Sequence, residues 1–222
     1  MTGSCSRRLF VTASVLLLAA SLTRADQPPM VFTHLSTEQG LSQATVNDLL
    51  QDSQGFIWLA TENGLNRYDG KEVKRYYRER NQADGLASDY LWALDQDQAG
   101  NIWMATEGGG IAVWNRRTDT LKSYRHVPGQ PQSLASDSVR DVLVDRQGRV
   151  WAATRDQGLD RLDPVTGVVT HFVHASSRPG SLSSNQNLYA LLEDRDGSVW
   201  ISTSAGLDRY RVDGEGFEHF QP

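Results

Sequence analysis

Asp52-Ser53-Gln54-Gly55-Phe56-Ile57-Trp58 returns three more times along the chain, as Asp97-Gln98-Ala99-Gly100-Asn101-Ile102-Trp103, Asp145-Arg146-Gln147-Gly148-Arg149-Val150-Trp151 and Asp194-Arg195-Asp196-Gly197-Ser198-Val199-Trp200. Successive tryptophans lie 45, 48 and 49 residues apart. Self-similarity at that period marks an array in which each repeat is one supersecondary unit that buries its apolar face only against its neighbours.

Each copy continues alike: a threonine (Thr61, Thr106, Thr154, Thr203), a glycine turn, and an apolar residue (Leu65, Ile111, Leu159, Leu207) opening the next run. An aromatic stretch closes each unit, at Tyr76-Tyr77, Tyr124, Phe172 and Phe217 to Phe220. The apolar runs are short and separated by Gly, Asn and Asp, and no stripe of 3.6-residue period is long enough for a helix. In the first unit the strands are expected near Val46–Gln51, Phe56–Thr61, Leu65–Tyr68 and Val73–Arg78. Four antiparallel strands per repeat of about 40 to 50 residues describe a propeller blade, so the chain is expected to be all-β. The blades fall at about 41–78, 86–125, 134–173 and 182–220.

The repeated phrase has a mechanical reading. Asp52, Asp97, Asp145 and Asp194 open turns by accepting backbone N–H groups, and Gly55, Gly100, Gly148 and Gly197 take the positive φ that a tight hairpin demands. Trp58, Trp103, Trp151 and Trp200 then each bury roughly 150–250 Å² between blades, a gross gain of about 4–6 kcal/mol. Asp194-Arg195-Asp196-Gly197 has the opening of a calcium loop but lacks the acidic ligand at loop position 12, so no metal is expected there.

Arg7 and Arg8 precede an apolar stretch from Leu9 to Leu22, and Thr23-Arg24-Ala25 supplies small residues where a signal peptidase reads. Residues 1–25 are thus expected to be a signal peptide removed before Asp26, residues 26–222 being the exported, periplasmic part. The stretch is shorter than the roughly 20 residues of a comfortable membrane span. An uncleaved anchor and a twin-arginine signal at Ser6–Phe10 are the alternatives. The single cysteine, Cys5, lies ahead of the apolar stretch, so export would leave no thiol and no disulfide. Removing residues 1–25 takes three arginines and no acid from a net charge of −5, leaving −8. That balance disfavours nucleic acid and anionic membrane as partners.

No catalytic constellation stands out. His34, His126, His171, His174 and His219 sit mostly beside the outer strands, and no Ser has nucleophile-elbow glycines. Gly108-Gly109-Gly110 is a lengthened turn rather than a phosphate loop, since no helix follows it. No cofactor is expected.

Leu-x-Ser-x-x-Val, Asp-x-x-Gly-x-Val-Trp-x-x-Thr and Gly-Leu-x-Arg, repeated over about residues 31–222, resemble the two-component-regulator propeller repeat of the periplasmic sensor region of bacterial hybrid histidine kinases and related proteins, some ending in diguanylate cyclase domains. Phe32-Thr33-His34-Leu35 with Gly40-Leu41-Ser42 resembles the start of that region. The resemblance implies seven-bladed rings, so four blades imply an open partial ring and a piece of a longer protein holding the remaining blades. Residues 31–35 are expected as an outer strand without a blade of its own.

Within the repeats, the position eleven residues before each Trp holds Asn47, Trp92, Arg140 and Tyr189, while its neighbours Val46, Leu91, Val139 and Leu188 stay apolar. A position that varies so widely is not fixed by packing, and on an innermost strand it faces the channel, where ligand sites gather aromatic and polar groups. These four are the candidate ligand-binding residues, with turn residues Glu62, Glu107 and Arg155 on the same face. The expected ligand is a small molecule or a saccharide, Arg140 pairing with a carboxylate or sulfate. Three functions compete: a periplasmic ligand-sensing propeller with no catalysis of its own, a secreted scaffold for protein binding, and a propeller enzyme. The last rests on Asp163-Pro164-Val165-Thr166-Gly167, which resembles the quinoprotein blade turn.

Overall fold

A computed structural model describes residues 31–78, 85–211 and 216–220. The expected signal peptide lies outside them. After a short 3-10 turn at Thr37–Gln39, capped by Ser36, come sixteen strands. They form four antiparallel sheets, each built from one repeat in chain order. Blade 1 is β1 (Val46–Gln51), β2 (Ile57–Thr61), β3 (Gly64–Tyr68) and β4 (Val73–Tyr76); blade 2 is β5 (Leu91–Gln96), β6 (Ile102–Thr106), β7 (Ile111–Asn115) and β8 (Thr120–Tyr124). Blade 3 is β9 (Val139–Val144), β10 (Val150–Thr154), β11 (Leu159–Leu162) and β12 (Val169–Phe172); blade 4 is β13 (Ala190–Glu193), β14 (Val199–Thr203), β15 (Gly206–Tyr210) and β16 (Phe217–Phe220).

The turn from first to second strand is tied by the repeated phrase. Asp52 accepts the Gln54 and Phe56 amides on Oδ1, at 2.9 and 3.0 Å, and the Trp58 indole N–H on Oδ2 at 2.8 Å. The indole bond recurs at Asp97–Trp103 (3.1 Å), Asp145–Trp151 (2.8 Å) and Asp194–Trp200 (2.7 Å). One carboxylate thus folds the turn and satisfies the one polar atom of the core aromatic beyond it. Gly55, Gly100, Gly148 and Gly197 all take positive φ.

The core lies between successive blades. Trp58, Leu65 and Tyr76 pack on Leu91, Leu94, Ile102 and Trp114 of blade 2. Trp103 and Ile111 pack on Val139, Val142 and Val150 of blade 3, and Trp151 and Leu159 on Leu188, Val199, Ile201 and Tyr210 of blade 4. Aspartates of the innermost strands cross each junction to a backbone N–H of the next blade: Asp48 to Leu94 (2.8 Å), Asp95 to Val144 (2.6 Å) and Asp141 to Leu191 (2.6 Å). The four sheets do not close into a ring.

The outer strand expected over residues 31–35 is not formed. Val31 and Phe32 are 83% and 79% exposed, and each sheet already holds four strands of its own repeat, leaving none that lacks an outer strand.

Candidate functional site

The variable position of the repeats falls on an irregularity of the innermost strand. In β1, Val46 pairs with Thr61 and Asp48 with Ala60, leaving Asn47 as the extra residue. Trp92 is left over in the same way in β5, between Leu91 and Ala93, and Arg140 in β9, between Val139 and Asp141. Tyr189 precedes β13 and donates its N–H to the Ser202 carbonyl at 2.9 Å, Ser202 being also the register partner of Ala190. A bulge adds one residue against the partner strand and re-aims its side chain. This explains why the position is free to vary.

Two of the four residues come together. The Arg140 guanidinium lies over the Trp92 ring, 4.1 Å from its centroid. Tyr90 tilts against the same indole at 4.7 Å. Trp92 Nε1 donates to Glu107 Oε2 at 2.9 Å, and Glu107 Oε1 accepts from Ser138 Oγ at 3.0 Å and from Arg155 Nη1 at 3.5 Å. Glu62, at the matching turn of blade 1, accepts from the Tyr90 hydroxyl at 3.0 Å and from Gln43 Nε2 at 3.2 Å. Burial pushes the Glu107 carboxyl up, but hydrogen bonds from Trp92 and Ser138 and the charges of Arg140 and Arg155 outweigh it and hold the group below the ordinary carboxylate range. Tyr90 is pushed the other way, by burial first and then by its bond to Glu62.

Asn47 and Tyr189 stand outside this group. Asn47 Nδ2 donates to the Leu91 carbonyl at 2.7 Å and so ties blade 1 to blade 2. Tyr189 is 58% exposed, with no ring partner among the described residues. The turn residues Glu62, Glu107 and Arg155 form the centre instead. Tyr90 and Ser138 escaped the sequence reading, although each lies two residues before a candidate and strand alternation puts such pairs on one face.

A second set of polar pairs imitates catalytic dyads. Buried Asp160 holds His171 Nδ1 at 2.6 Å, and buried Asp208 holds His219 Nδ1 at 2.7 Å. Each ring's Nε2 donates to a loop carbonyl, Pro131 at 2.9 Å and Pro179 at 3.1 Å. The second carboxylate oxygen takes the Ala135 or Ser183 amide at 2.7 Å. With both ring nitrogens occupied, neither histidine has a position from which to take a substrate proton. The pairs clamp the loops that enter blades 3 and 4. His126 and His174 hold the same loops through Nδ1, to the Leu134 carbonyl at 2.7 Å and the Leu182 carbonyl at 2.8 Å. Among the described residues no three His, Cys, Asp or Glu side chains converge as metal ligands, and no helix is long and apolar enough to cross a membrane.

The two component regulator propeller family matches residues 40–63, 133–156 and 181–205, which carry the turn phrase of blades 1, 3 and 4. A solved structure described as the extracellular domain of a hybrid two component system from B. thetaiotaomicron superposes with a TM-score of 0.74 at 32% identity, over 85% of this chain and 26% of that one. The extracellular domain of a one component system from the same organism gives a TM-score of 0.64 at 22% identity, over 82% of this chain and 25% of that one, a likeness of fold. Histidine kinase P4 of Formosa agariphila is 42% identical over 59 residues, 27% of this chain and 4% of that protein. The chain therefore spans about a quarter of those extracellular domains and a small fraction of that kinase. Three of the four repeats, those of blades 1, 3 and 4, thus carry the pattern of the two component regulator propeller family.

Proposed function

We propose that this chain is part of the exported, solute-receiving region of a two-component signalling protein. The observation that carries the reading is the 32% identity, sustained over 85% of the chain, to the extracellular domain of a hybrid two component system. A binding role is further supported by the bulged, variable positions Trp92 and Arg140, which meet on one face with Glu107. The histidine dyads, their nitrogens all engaged by the fold, speak for binding over catalysis.

In this reading further blades of the same repeat complete the propeller, and the exposed face of blade 4 is their seat. Leu192 is 62% exposed there, whereas Leu143, at the matching place in blade 3, packs into the core. A kinase or cyclase output belongs to the longer protein. Two measurements test the reading. A fusion of the chain to alkaline phosphatase should be active only if residues 1–25 export it. The reading frame beyond residue 222 should encode more repeats, a membrane helix and a histidine kinase or cyclase. An inactive fusion, or a frame that encodes an unrelated cytoplasmic enzyme, would overturn it.

A further inference from the structure

The bulge face has an unequal balance of donors and acceptors. Both oxygens of Glu107 are occupied, by Trp92 on one side and by Ser138 and Arg155 on the other. Both oxygens of Glu62 are occupied as well, by Tyr90 and Gln43. The unmatched groups are donors. Arg140 lies over the Trp92 ring, yet its guanidinium makes no hydrogen bond or ion pair with any described residue. Arg155 meets Glu107 only through Nη1, at 3.5 Å, with its side chain 53% exposed. Arg140 and Arg155 both act on Glu107, and with Glu62 the group is balanced in formal charge, so what it has in excess is guanidinium N–H donors. The Asn187 N–H bonds the Arg155 carbonyl at 2.7 Å, so the blade 4 segment that leads to exposed Tyr189 runs beside Arg155.

We propose that Arg140 and Arg155 form an oxyanion site for a small solute bearing a carboxylate, sulfate or phosphate group, with Tyr189 as the ring that meets the body of that solute. A guanidinium pre-oriented by stacking loses less freedom on forming a bidentate pair, and two cations beside a saturated carboxylate attract an acceptor that the protein itself does not supply. The site rests on the solute-receiving reading above and names the chemistry of its ligand.

The indole N–H of Trp92 reports on the site, because Trp92 lies under Arg140 and bonds Glu107. In ¹⁵N-labelled chain this resonance, assigned by its loss in Trp92→Phe, should shift saturably with sodium sulfate and not with sodium chloride at equal ionic strength. Arg140→Gln and Arg155→Gln should each weaken the apparent sulfate affinity about tenfold, as loss of a charged hydrogen bond does. Glucuronate should bind more tightly than sulfate in wild type, and Tyr189→Ala should remove that advantage while leaving the sulfate response intact. A sulfate response equal to that of chloride, or one unchanged in both arginine variants, would overturn the anion site. A saturable response to neutral glucose in a chain that ignores sulfate would overturn it while leaving the solute-receiving reading in place, and silence toward all three solutes would count against both.

Discussion

At the scale of single residues, the Asp-x-x-Gly-x-apolar-Trp phrase is one device with three jobs. The aspartate closes the turn and the glycine supplies the left-handed conformation; in blades 1 to 3 the tryptophan fills the junction with the next blade, whereas Trp200, expected to be buried likewise, is only half-buried because no described blade follows it. The first two roles and the burial of Trp58, Trp103 and Trp151 were legible in the sequence, because turn chemistry is local and a repeated apolar residue must face a neighbour. The bond from each indole to its aspartate was not, because it depends on a rotamer across a hairpin. The site was legible only in outline. Variation among Asn47, Trp92, Arg140 and Tyr189 pointed to the right strand position, but only the bulges decide which of these side chains meet. Trp103 is 3% exposed and stacks on Tyr124 at 5.8 Å. Trp103→Ala is therefore expected to lower the unfolding free energy by about 3–5 kcal/mol. Trp200→Ala, on the uncovered face of blade 4, should cost clearly less. Urea denaturation of the two variants checks the order, and equal losses would place both residues in the same environment.

At the scale of elements, what ties the entry loops to blades 3 and 4 is a set of polar clamps that sequence reading left as solvated surface. The Asp160–His171 and Asp208–His219 pairs fasten the loops into blades 3 and 4, and their partners lie about 40 residues away along the chain, beyond the reach of any local motif. Hydrogen bonding to aspartate raises the pKa of both histidines above the ordinary value. A histidine raised by folding contributes stability that is fully present below its unfolded pKa of about 6.5 and is lost as pH climbs through the folded value. Asp141 works in the same direction. Burial lifts its carboxyl from 3.8 to about 6, against amides from Leu191 and Val142 and helped by the charges of Asp48 and Asp95, so stability is lost as pH rises between those values and the group ionises. The melting temperature should therefore fall between pH 5 and pH 8. In the double variant His171→Gln, His219→Gln the fall should be shallower, and what remains below about pH 6 should belong mainly to Asp141. A profile with the same slope in wild type and double variant would show that the clamps carry no charge. The unformed strand at 31–35 teaches a related lesson. Its spacing to Leu41 mimics that of Tyr77 to Leu86, but each sheet among the described residues already takes its fourth strand from its own repeat.

At the scale of the molecule, the repeat count determined the architecture: four repeats gave four sheets, and each junction between neighbours became a core. Because every core needs two blades, the outer face of blade 4 has no cover among the described residues. Leu192, Leu207 and Phe220 are exposed there, beside a shallow apolar hollow of about 350 Å³ lined by Leu191, Leu192, Trp200 and Leu207. That face is where the account is most exposed to test, since a closed ring of four would bury it and an open arc leaves it in water. The direct measurement is thiol labelling at matched positions in a Cys5→Ser background, which removes the chain's single cysteine. Leu192→Cys pairs across the sheet with Trp200 just as Leu143→Cys pairs with Trp151, so the two sites differ only in whether a next blade covers them. In dilute solution the open arc predicts that the thiol of Leu192→Cys reacts at close to the rate of an unfolded chain, while that of Leu143→Cys reacts slower by about tenfold or more, as a site that must open first. Equal protection at the two positions would contradict the open arc and the unfilled seat on blade 4.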